Sequence, residues 1–329
     1  MAAKTLRKIQ LGAETTKGTI AAATTVWRGT GTIEDTIDVK HADEDVGYMM
    51  GVDRTYISKK EGKITLEQEA TFEQLPYVFE AGIKTVAGDQ DGTGSGYAYI
   101  YPLPTTAAQA IKTYTIEGGD DAGAEVVDYC FVTAFKLSGK GGEAVTVSAD
   151  WVGQEVVPQA FTGAVALPTV YTIIFSKGYL YIDAIGSTAG TTLKSNTLLG
   201  FDLDYKTGFN PVYTASGSLS FGFDKQTQPS AELKITFEHD ATSVAEKVIW
   251  RAETARKLRL KFEGAELSTA SDYTYKTLII DLCGKWSKFD KIGEQNGNDI
   301  VTGTFIGKYD VTAASAGQIV VVNELSALT

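Results

Sequence analysis

The sequence predicts a mainly β protein made of two tandem β-sandwich or barrel-forming domains, each with one flanking α-helix. Composition is the first indication: 34 glycines and 10% aromatic residues among 329, together with abundant Thr, Val and Ile, favour strands and turns. A repeat is the second, because residues 63–71 (KITLEQEAT) return as residues 234–242 (KITFEHDAT). Each copy alternates apolar and polar residues as a half-buried strand does, and then runs into a helical pattern.

The duplication extends beyond these two copies. Three further pairs of segments match in the same order along the chain: residues 32–40 with 200–206, 114–118 with 260–264, and 142–153 with 296–307. We therefore predict two homologous domains, residues 1–160 with an N-terminal arm and residues 161–329. The boundary falls in residues 157–168, which separate the two copies and contain prolines and small residues.

The first half opens with a polar, small-residue segment, residues 1–30, which is predicted as an arm outside the core. Residues 32–40 are predicted as a strand, and a long polar connection, residues 41–54, follows it. Met49 and Met50 lie at the tip of this connection. Two interpretations of the methionines stay open: they form an adaptable contact surface, or they pack beneath the loop.

After the first repeat strand, a helix is predicted to begin near Pro76, which suits a first-turn position, and to end near Gly82. An extra segment without a counterpart follows, consisting of a glycine-rich loop (residues 89–96) and a strand with alternating tyrosines. The last predicted feature of the first half is a hairpin of two long strands, residues 127–138 and 143–156.

The second half is predicted to have its own helix, beginning at a capping box of Ser243 and Glu246. Its apolar stripe would be Val244, Ala245, Val248, Ile249, Ala252 and Ala255. Its predicted strands are residues 171–175, 179–182, 198–205, 219–223, 258–262, 275–283 and 299–309, and residues 318–323 are predicted to belong to a tail.

Charge and motif content argue against most active sites. The net charge of −11 argues against a protein that grips nucleic-acid phosphates. Cys130 and Cys283 lie in apolar strand patterns and are predicted to be buried free thiols. His41 and His239 have no catalytic partner pattern, and no phosphate loop or nucleophile elbow is present. We expect no enzyme activity, no cofactor, no metal site, no signal peptide and no membrane span.

Five segments resemble the tail tube (major tail) proteins of long, non-contractile-tailed bacteriophages. They are residues 11–19 (LGAETTKGT), 27–35 (WRGTGTIED), 70–76 (ATFEQLP), 114–119 (YTIEGG) and 297–302 (GNDIVT). The resemblance implies tail-tube-like domains that assemble into rings, with one sheet of each domain joining a continuous β-barrel around a channel. Most members have one such domain and form hexamers. The duplication here resembles the two-domain type, in which three chains form the ring.

The resemblance also implies partners and a location. The chain would bind itself in pseudo-hexameric trimer rings stacked into a tube, and would meet the tape-measure protein and the tail terminator and distal tail proteins. Phage DNA would pass through without specific binding. The protein would belong to the virion tail, would be assembled in the host cytoplasm, and would not bind a membrane.

Two sets of residues are candidates for these roles. The polar faces of predicted strands would line the channel, unless they face solvent on an outer sheet: Glu34, Thr36, Asp38, Thr146, Ser148, Asp150, Asp202, Asp204, Asp281, Thr302 and Thr304. The arm and the long connection would contact the neighbouring ring through Leu11, Glu14, Trp27, Asp43, Glu44, Asp45, Met49, Met50 and Arg54.

The alternative function is a β-sandwich binding module that recognises a cell surface or a carbohydrate. Such a module needs an exposed aromatic platform, for which Tyr97, Tyr99 and Tyr101 are the candidates. A hydrolase would instead need a pair of carboxylates in a cleft, and no sequence pattern indicates one.

Overall fold

The computed structural model describes residues 6–51 and 53–328. It is mainly β, with two α-helices among the described residues, α1 (Leu75–Gly82) and α2 (Ala241–Arg251), and every strand pairing is antiparallel. The predicted mainly β class is therefore confirmed.

The strands are numbered in chain order. The first half contains β1 (Lys8–Ala13), β2 (Thr25–Val26), β3 (Thr30–His41), β4 (Thr55–Glu69), β5 (Asp89–Gln90), β6 (Tyr97–Pro102), β7 (Tyr114–Gly119), β8 (Ala124–Lys140), β9 (Thr146–Gly153) and β10 (Val156–Pro158). The second half contains β11 (Gly178–Ala184), β12 (Leu193–Lys194), β13 (Leu198–Lys206), β14 (Phe209–Val212), β15 (Phe223–Gln226), β16 (Ser230–Glu238), β17 (Arg256–Glu266), β18 (Tyr275–Phe289), β19 (Gly293–Gln295), β20 (Asn298–Gly307) and β21 (Gly317–Asn323).

One sheet runs through both halves, and we call it the main sheet. Its strand order is β3-β4-β9-β8-β13-β16-β20-β18, so each half contributes four strands. The two halves meet where β8 pairs with β13, and we call this pairing and its surroundings the junction.

Each half also has a second sheet that packs against the main sheet. In the first half its order is β2-β1-β7-β8-β10, and in the second half it is β12-β11-β17-β18-β21-β6-β5. The long strands β8 and β18 pass from the second sheet into the main sheet, so each half is a sandwich whose layers share one strand. Because β6 pairs with β21 and β8 pairs with β13, the sheets cross the predicted boundary at residue 160, and that boundary stays a prediction.

The duplicated sequence appears as duplicated topology. The main-sheet order β3-β4-β9-β8 of the first half returns as β13-β16-β20-β18, and the second-sheet order β1-β7-β8 returns as β11-β17-β18. In both halves the helix follows the repeat strand directly, as α1 after β4 and α2 after β16.

The core lies between the layers because the strands alternate as the sequence predicts. In β16, Leu233, Ile235 and Phe237 are buried, whereas Lys234 is exposed on the other side. The same alternation along β4, β9, β8, β13 and β20 gives the main sheet one apolar face, against the core, and one polar face.

The two helices meet the core differently. Helix α1 begins and ends as predicted, and all of its residues are buried. Helix α2 differs from the prediction, because its capping box is formed by Asp240 and Ser243. Glu246 is instead buried, where it accepts hydrogen bonds from Arg256 and Trp286. Ile249 of the predicted apolar stripe still packs against the core, but other residues of the stripe face outward.

Val244 and Val248 of this stripe are 49% and 55% exposed, respectively. Two predicted strands are also wrong. Residues 171–175 make isolated bridges and enter a 3-10 turn (Phe175–Lys177), and residues 219–222 form the loop that precedes β15.

Candidate assembly surfaces

The polar face of the main sheet is continuous across the junction. One row of paired residues follows the order Glu67, Ser148, Lys136, Asp204 and Glu232. A second row of paired residues lies beside the first and crosses the same strands, from Glu69 of β4 to Thr304 of β20. The two halves therefore present one uninterrupted polar surface.

The structure brings ten of the eleven candidate channel residues onto this polar face. They are Glu34, Thr36 and Asp38 in β3, Thr146, Ser148 and Asp150 in β9, Asp202 and Asp204 in β13, and Thr302 and Thr304 in β20. Side-chain hydrogen bonds link neighbouring strands across this face, among them Thr65 Oγ1 to Asp150 Oδ1 (3.1 Å) and Ser148 Oγ to Glu67 Oε1 (3.3 Å).

Asp281 is the exception and requires a correction. It lies where β18 runs in the second sheet, it is 6% exposed, and it forms a forked ion pair with Arg259 (2.7 and 2.8 Å). The hydrogen bonds to Asp281 raise the pKa of Arg259 above its ordinary value. Asp281 therefore stabilises the sandwich and does not belong to the polar face, because strand alternation gives the side of a strand and not the layer in which it lies.

Lysines share the polar face with the acids, and the sequence prediction missed them. Lys136 lies 3.5 Å from Asp204, Lys234 lies 3.3 Å from Glu232, and Lys63 lies 3.5 Å from Glu61. The signal was present in the sequence, since these lysines occupy the same alternating positions as the acids. On strands β4, β8, β9, β13 and β16 the acids Glu67, Glu69, Asp150, Asp202, Asp204, Glu232 and Glu238 outnumber Lys59, Lys63, Lys136, Lys140, Lys206 and Lys234. Glu61 of β4 is buried and accepts a hydrogen bond from the Tyr213 hydroxyl (2.7 Å).

The junction buries a large aromatic contact. The rings of Phe135 (β8) and Tyr205 (β13) stack with centroids 5.0 Å apart, and Phe79 of α1 packs 5.2 Å from the Phe135 ring. The last residue of α1, Gly82, is closely packed between the two halves. A Cβ atom added to this glycine would lie 3.0 Å from Val132 and 3.1 Å from a methyl group of Thr207. Helix α1 is thus enclosed by both halves.

We call two residues counterparts when they hold the same place in their halves. A register shift follows Val132 in β8 and Trp286 in β18, so Ala134 and Phe135 correspond to Lys288 and Phe289. In the other two strands, Lys63 pairs with Glu34 and Lys234 pairs with Asp202. Residues 34, 37 and 38 of β3 therefore correspond to residues 202, 205 and 206 of β13.

The junction covers an edge of β13, an edge of β8 and helix α1, whereas the corresponding surfaces of β3, β18 and α2 are exposed. Among the described residues, nothing pairs with the outer edge of β3 or with the edge of β18 at residues 285–289 that faces away from β20. Tyr205 is buried, whereas its counterpart Ile37 is 41% exposed. Likewise α1 is enclosed, whereas α2 exposes Val244 and Val248.

The two open edges have opposite excess charges, although Asp38 and Lys288 each form an ion pair within the chain, with Lys40 (2.9 Å) and Asp290 (2.5 Å). Exposed acids lie along β3, at Glu34 and Asp35, with the half-exposed Asp38 beyond them. Exposed lysines lie along the end of β18 and just after it, at Lys285, Lys288 and Lys291. Hydrogen bonds from Lys40 and then Ser58 lower the pKa of Asp38, so this carboxylate stays charged at neutral pH.

Three of the predicted ring-contact residues lie in the core instead, which corrects the prediction of an arm. Residues 1–5 of that arm lie outside the described residues. Leu11 is 1% and Trp27 3% exposed, and β1 pairs along the whole of β7. The buried carboxylate of Glu14 accepts hydrogen bonds from the Thr113 and Thr115 hydroxyls and from the Tyr129 amide. The small-residue composition concealed a strand, and these residues cannot contact a neighbouring ring.

The other ring-contact candidates lie on a projecting hairpin, defined as residues 39–58. Here β3 and β4 continue to pair beyond Gly62, where β4 leaves β9, as far as His41 opposite Thr55. Met49 and Met50 are fully exposed, so they do not pack beneath the loop. The loop also carries Asp43, Glu44 and Asp45, and Arg54 forms an ion pair with Glu44.

The structure also places the tyrosines, cysteines and histidines that the sequence analysis considered. Tyr99 and Tyr101 are buried in β6, at 1% and 0% exposure, so they form no aromatic platform. Cys130 and Cys283 are free and buried, as predicted, and both histidines are exposed. Within residues 6–51 and 53–328, no group of His, Cys, Asp and Glu could hold a metal ion. No helix in that part of the chain has the length and apolar character needed to cross a bilayer.

No protein-family model matches this chain, and no curated protein matches it either. Function is therefore inferred from the repeat, the open edges and the polar face.

Proposed function

We propose that this chain is a phage tail tube protein whose copies join head to tail into rings of three, and that these rings stack into a tube that conducts DNA. The observation that supports this function is the junction. It joins two homologous halves inside the chain, and the same two kinds of edge stay open at the ends of the main sheet.

The proposed contact between chains copies the junction strand by strand. Strand β3 of one chain pairs with β18 of the next, as β13 pairs with β8. Lys206 lies opposite Ala134 at the junction, so the counterpart pair is Asp38 opposite Lys288. Opposite charges on the two edges favour this pairing, and pairing removes two exposed strand edges that otherwise promote aggregation.

A head-to-tail contact gives a closed ring when its rotation closes. Eight strands from each of three chains give a barrel of about 24 strands, which at the usual strand tilt of about 35–45° is roughly 45–52 Å across between backbones. Barrels of about 16–18 strands already enclose an aqueous channel. The polar face lines the inside of this barrel, because the second sheets cover the other face.

This wall suits the passage of DNA without binding it. Duplex DNA carries about one charge per 1.7 Å, so a ladder of unpaired cations would hold it. On the polar face Lys63, Lys136 and Lys234 each lie beside a carboxylate, and acids are in excess. In this role the tube also surrounds the tape-measure protein, ends at the tail terminator and distal tail proteins, and belongs to a virion tail assembled in the host cytoplasm.

The first test is assembly of the purified chain. Sedimentation velocity over a wide concentration range, with negative-stain microscopy of the same samples, should show three-chain rings and stacked tubes. A β-sandwich binding module would stay a dispersed monomer, and dispersed monomers at every concentration would refute the proposed function.

A further inference from the structure

The hairpin β14–β15 folds from the second half onto the first. Phe221 is 1% exposed and packs against Tyr129 and Phe131, with ring centroids 5.0 and 5.8 Å away. Lys60 N donates to Leu219 O (3.0 Å), and Gln154 Nε2 donates to Phe221 O (2.7 Å). The loop of this hairpin therefore rests on β4 at Lys60, on β8, and on Gln154, which directly follows β9.

The projecting hairpin is the counterpart of β14–β15. Both connect the first two main-sheet strands of their half, and both depart from regular pairing at the same place. The β3–β4 register shifts after Asp38, and the β13–β16 pairing stops at Lys206, the counterpart of Asp38. Gly208 then has a positive φ of 78°, where the second hairpin bends towards the first half.

Only one of the two hairpins has a docking surface within the chain. The tip of β14–β15 is held by the contacts of Leu219 and Phe221. The projecting hairpin instead exposes a set of apolar side chains: Val39 (47%), Val46 (48%), Tyr48 (74%), Met49 (105%), Met50 (87%), Tyr56 (56%) and Ile57 (40%).

A cleft of about 630 Å³ lies where the counterpart docking surface should be, lined by residues of the second half and by residues 103–108 of the first. Its lining includes Ala231 and Lys308, the counterparts of Lys60 and Gln154, which hold the β14–β15 tip. Ile306, the counterpart of Val152, lines it as well, with Leu103 and Tyr309. Lys308 is the one charged residue of this lining, and the hairpin loop that would face it is rich in acids.

We infer that the projecting hairpin of one chain fills this cleft on the neighbouring chain of the same ring, with exposed side chains of its loop such as Met50 inserted there. The inference rests on the proposed head-to-tail ring. If β3 pairs with the neighbour's β18, the hairpin begins beside the neighbour's cleft, as β14–β15 begins beside the surface that it covers. Methionine is suited to such an irregular apolar cleft because its side chain is unbranched and flexible.

The test uses paired cysteines in the full chain, whose two native cysteines are buried. The first variant, Met50→Cys with Lys308→Cys, reports the hairpin in the cleft. The second, Asp38→Cys with Lys288→Cys, reports the ring contact itself. A matched control combines Met50→Cys with Leu167→Cys, since Leu167 is 66% exposed and lies away from the cleft. Each variant is treated with a short bis-maleimide and analysed on denaturing gels, with microscopy of the same sample.

The expected result is that both test variants give covalent species up to three chains and none larger, while the control pair stays uncrosslinked. If Asp38/Lys288 crosslinks but Met50/Lys308 does not, the hairpin inference is wrong and the ring stands. A ladder beyond three chains from Met50/Lys308 also overturns it, because the hairpin then reaches another ring. Absence of both crosslinks and of rings refutes the proposed function and the inference with it.

Discussion

Phe135 and Tyr205 stack across the junction with ring centroids 5.0 Å apart and an interplanar angle of 28°. Their counterparts, Phe289 and Ile37, lie on opposite edges of the main sheet of one chain. In the proposed ring, the contact that Phe135 and Tyr205 make within the chain is repeated between chains by Phe289 and Ile37.

Substitution of Tyr205 should affect folding, whereas substitution of Ile37 should affect assembly. Tyr205→Ala removes a buried aromatic ring and should lower the free energy of unfolding by about 3–5 kcal/mol. Ile37→Ala changes an exposed side chain, so that free energy should change by less than about 0.5 kcal/mol. Ring dissociation should nevertheless rise about tenfold, as measured by sedimentation velocity beside urea unfolding curves. Unchanged assembly of Ile37→Ala would contradict the proposed packing.

Charge reversal should weaken the ring contact from either side. In the proposed ring, Lys288→Glu would place a carboxylate opposite Asp38 of the neighbouring chain, and Asp38→Lys would place an ammonium opposite Lys288. Each single variant should shift the assembly midpoint to several-fold higher concentration, and the double variant should recover most of the loss. Lys177→Glu, on an exposed 3-10 turn, is the control. If the shifts of the assembly midpoint in the two single variants simply add in the double variant, these residues do not face each other.

The polar face should tolerate added charge in assembly but not in DNA passage. Asp202→Lys with Asp204→Lys leaves Lys136 without its acidic neighbour and creates a cationic row. Exposed charges contribute little to stability, so tubes should form. DNA ejection from virions should slow at low salt and recover at high salt, because screening shortens to about 3 Å at 1 M.

The control for this experiment is Asp89→Lys with Asp272→Lys, because both residues are exposed away from the main sheet. Ejection at the normal rate by the Asp202/Asp204 variant in low salt would mean that these residues do not line the channel.

Asp128 should make stability depend on pH. Burial, and then the charge of Glu14, raise its pKa from 3.8 to about 6. The folded state therefore favours the protonated form, so stability is lost as pH rises from about 4 through 6. Asp128→Asn should be more stable than the natural chain by about 1–2 kcal/mol above pH 6, after allowance for partial exposure, and equal below pH 4. Urea unfolding across this range measures the difference, with the exposed Asp45→Asn as control. If Asp128→Asn were still more stable than the natural chain at pH 3, the gain in stability would not come from the titration of Asp128.

Local patterns in the sequence predicted much of the fold. The alternating apolar residues of β16, such as Leu233 and Ile235, predicted which side of the strand is buried. The position of Pro76 predicted where α1 begins. The repeat predicted two homologous domains, and in the structure the matched segments hold the same places in the strand order of their halves.

The sequence could not show which layer or partner each strand joins. Asp281 alternates as Asp202 does, yet it lies in the second sheet beside Arg259. Val244 and Val248 have helical spacing but are exposed, since the buried face of α2 is set by its contact with β18 through Glu246 and Trp286. Such choices depend on contacts between residues far apart in the chain, which local periodicity does not encode.

The most direct test of the head-to-tail ring is the structure of assembled tubes by electron cryomicroscopy. We predict a threefold ring of three chains whose inner wall has about 24 strands, with β3 of each chain paired to β18 of the next and Asp38 opposite Lys288. A ring of six chains, or a three-chain ring in which β3 and β18 stay unpaired, would contradict the account.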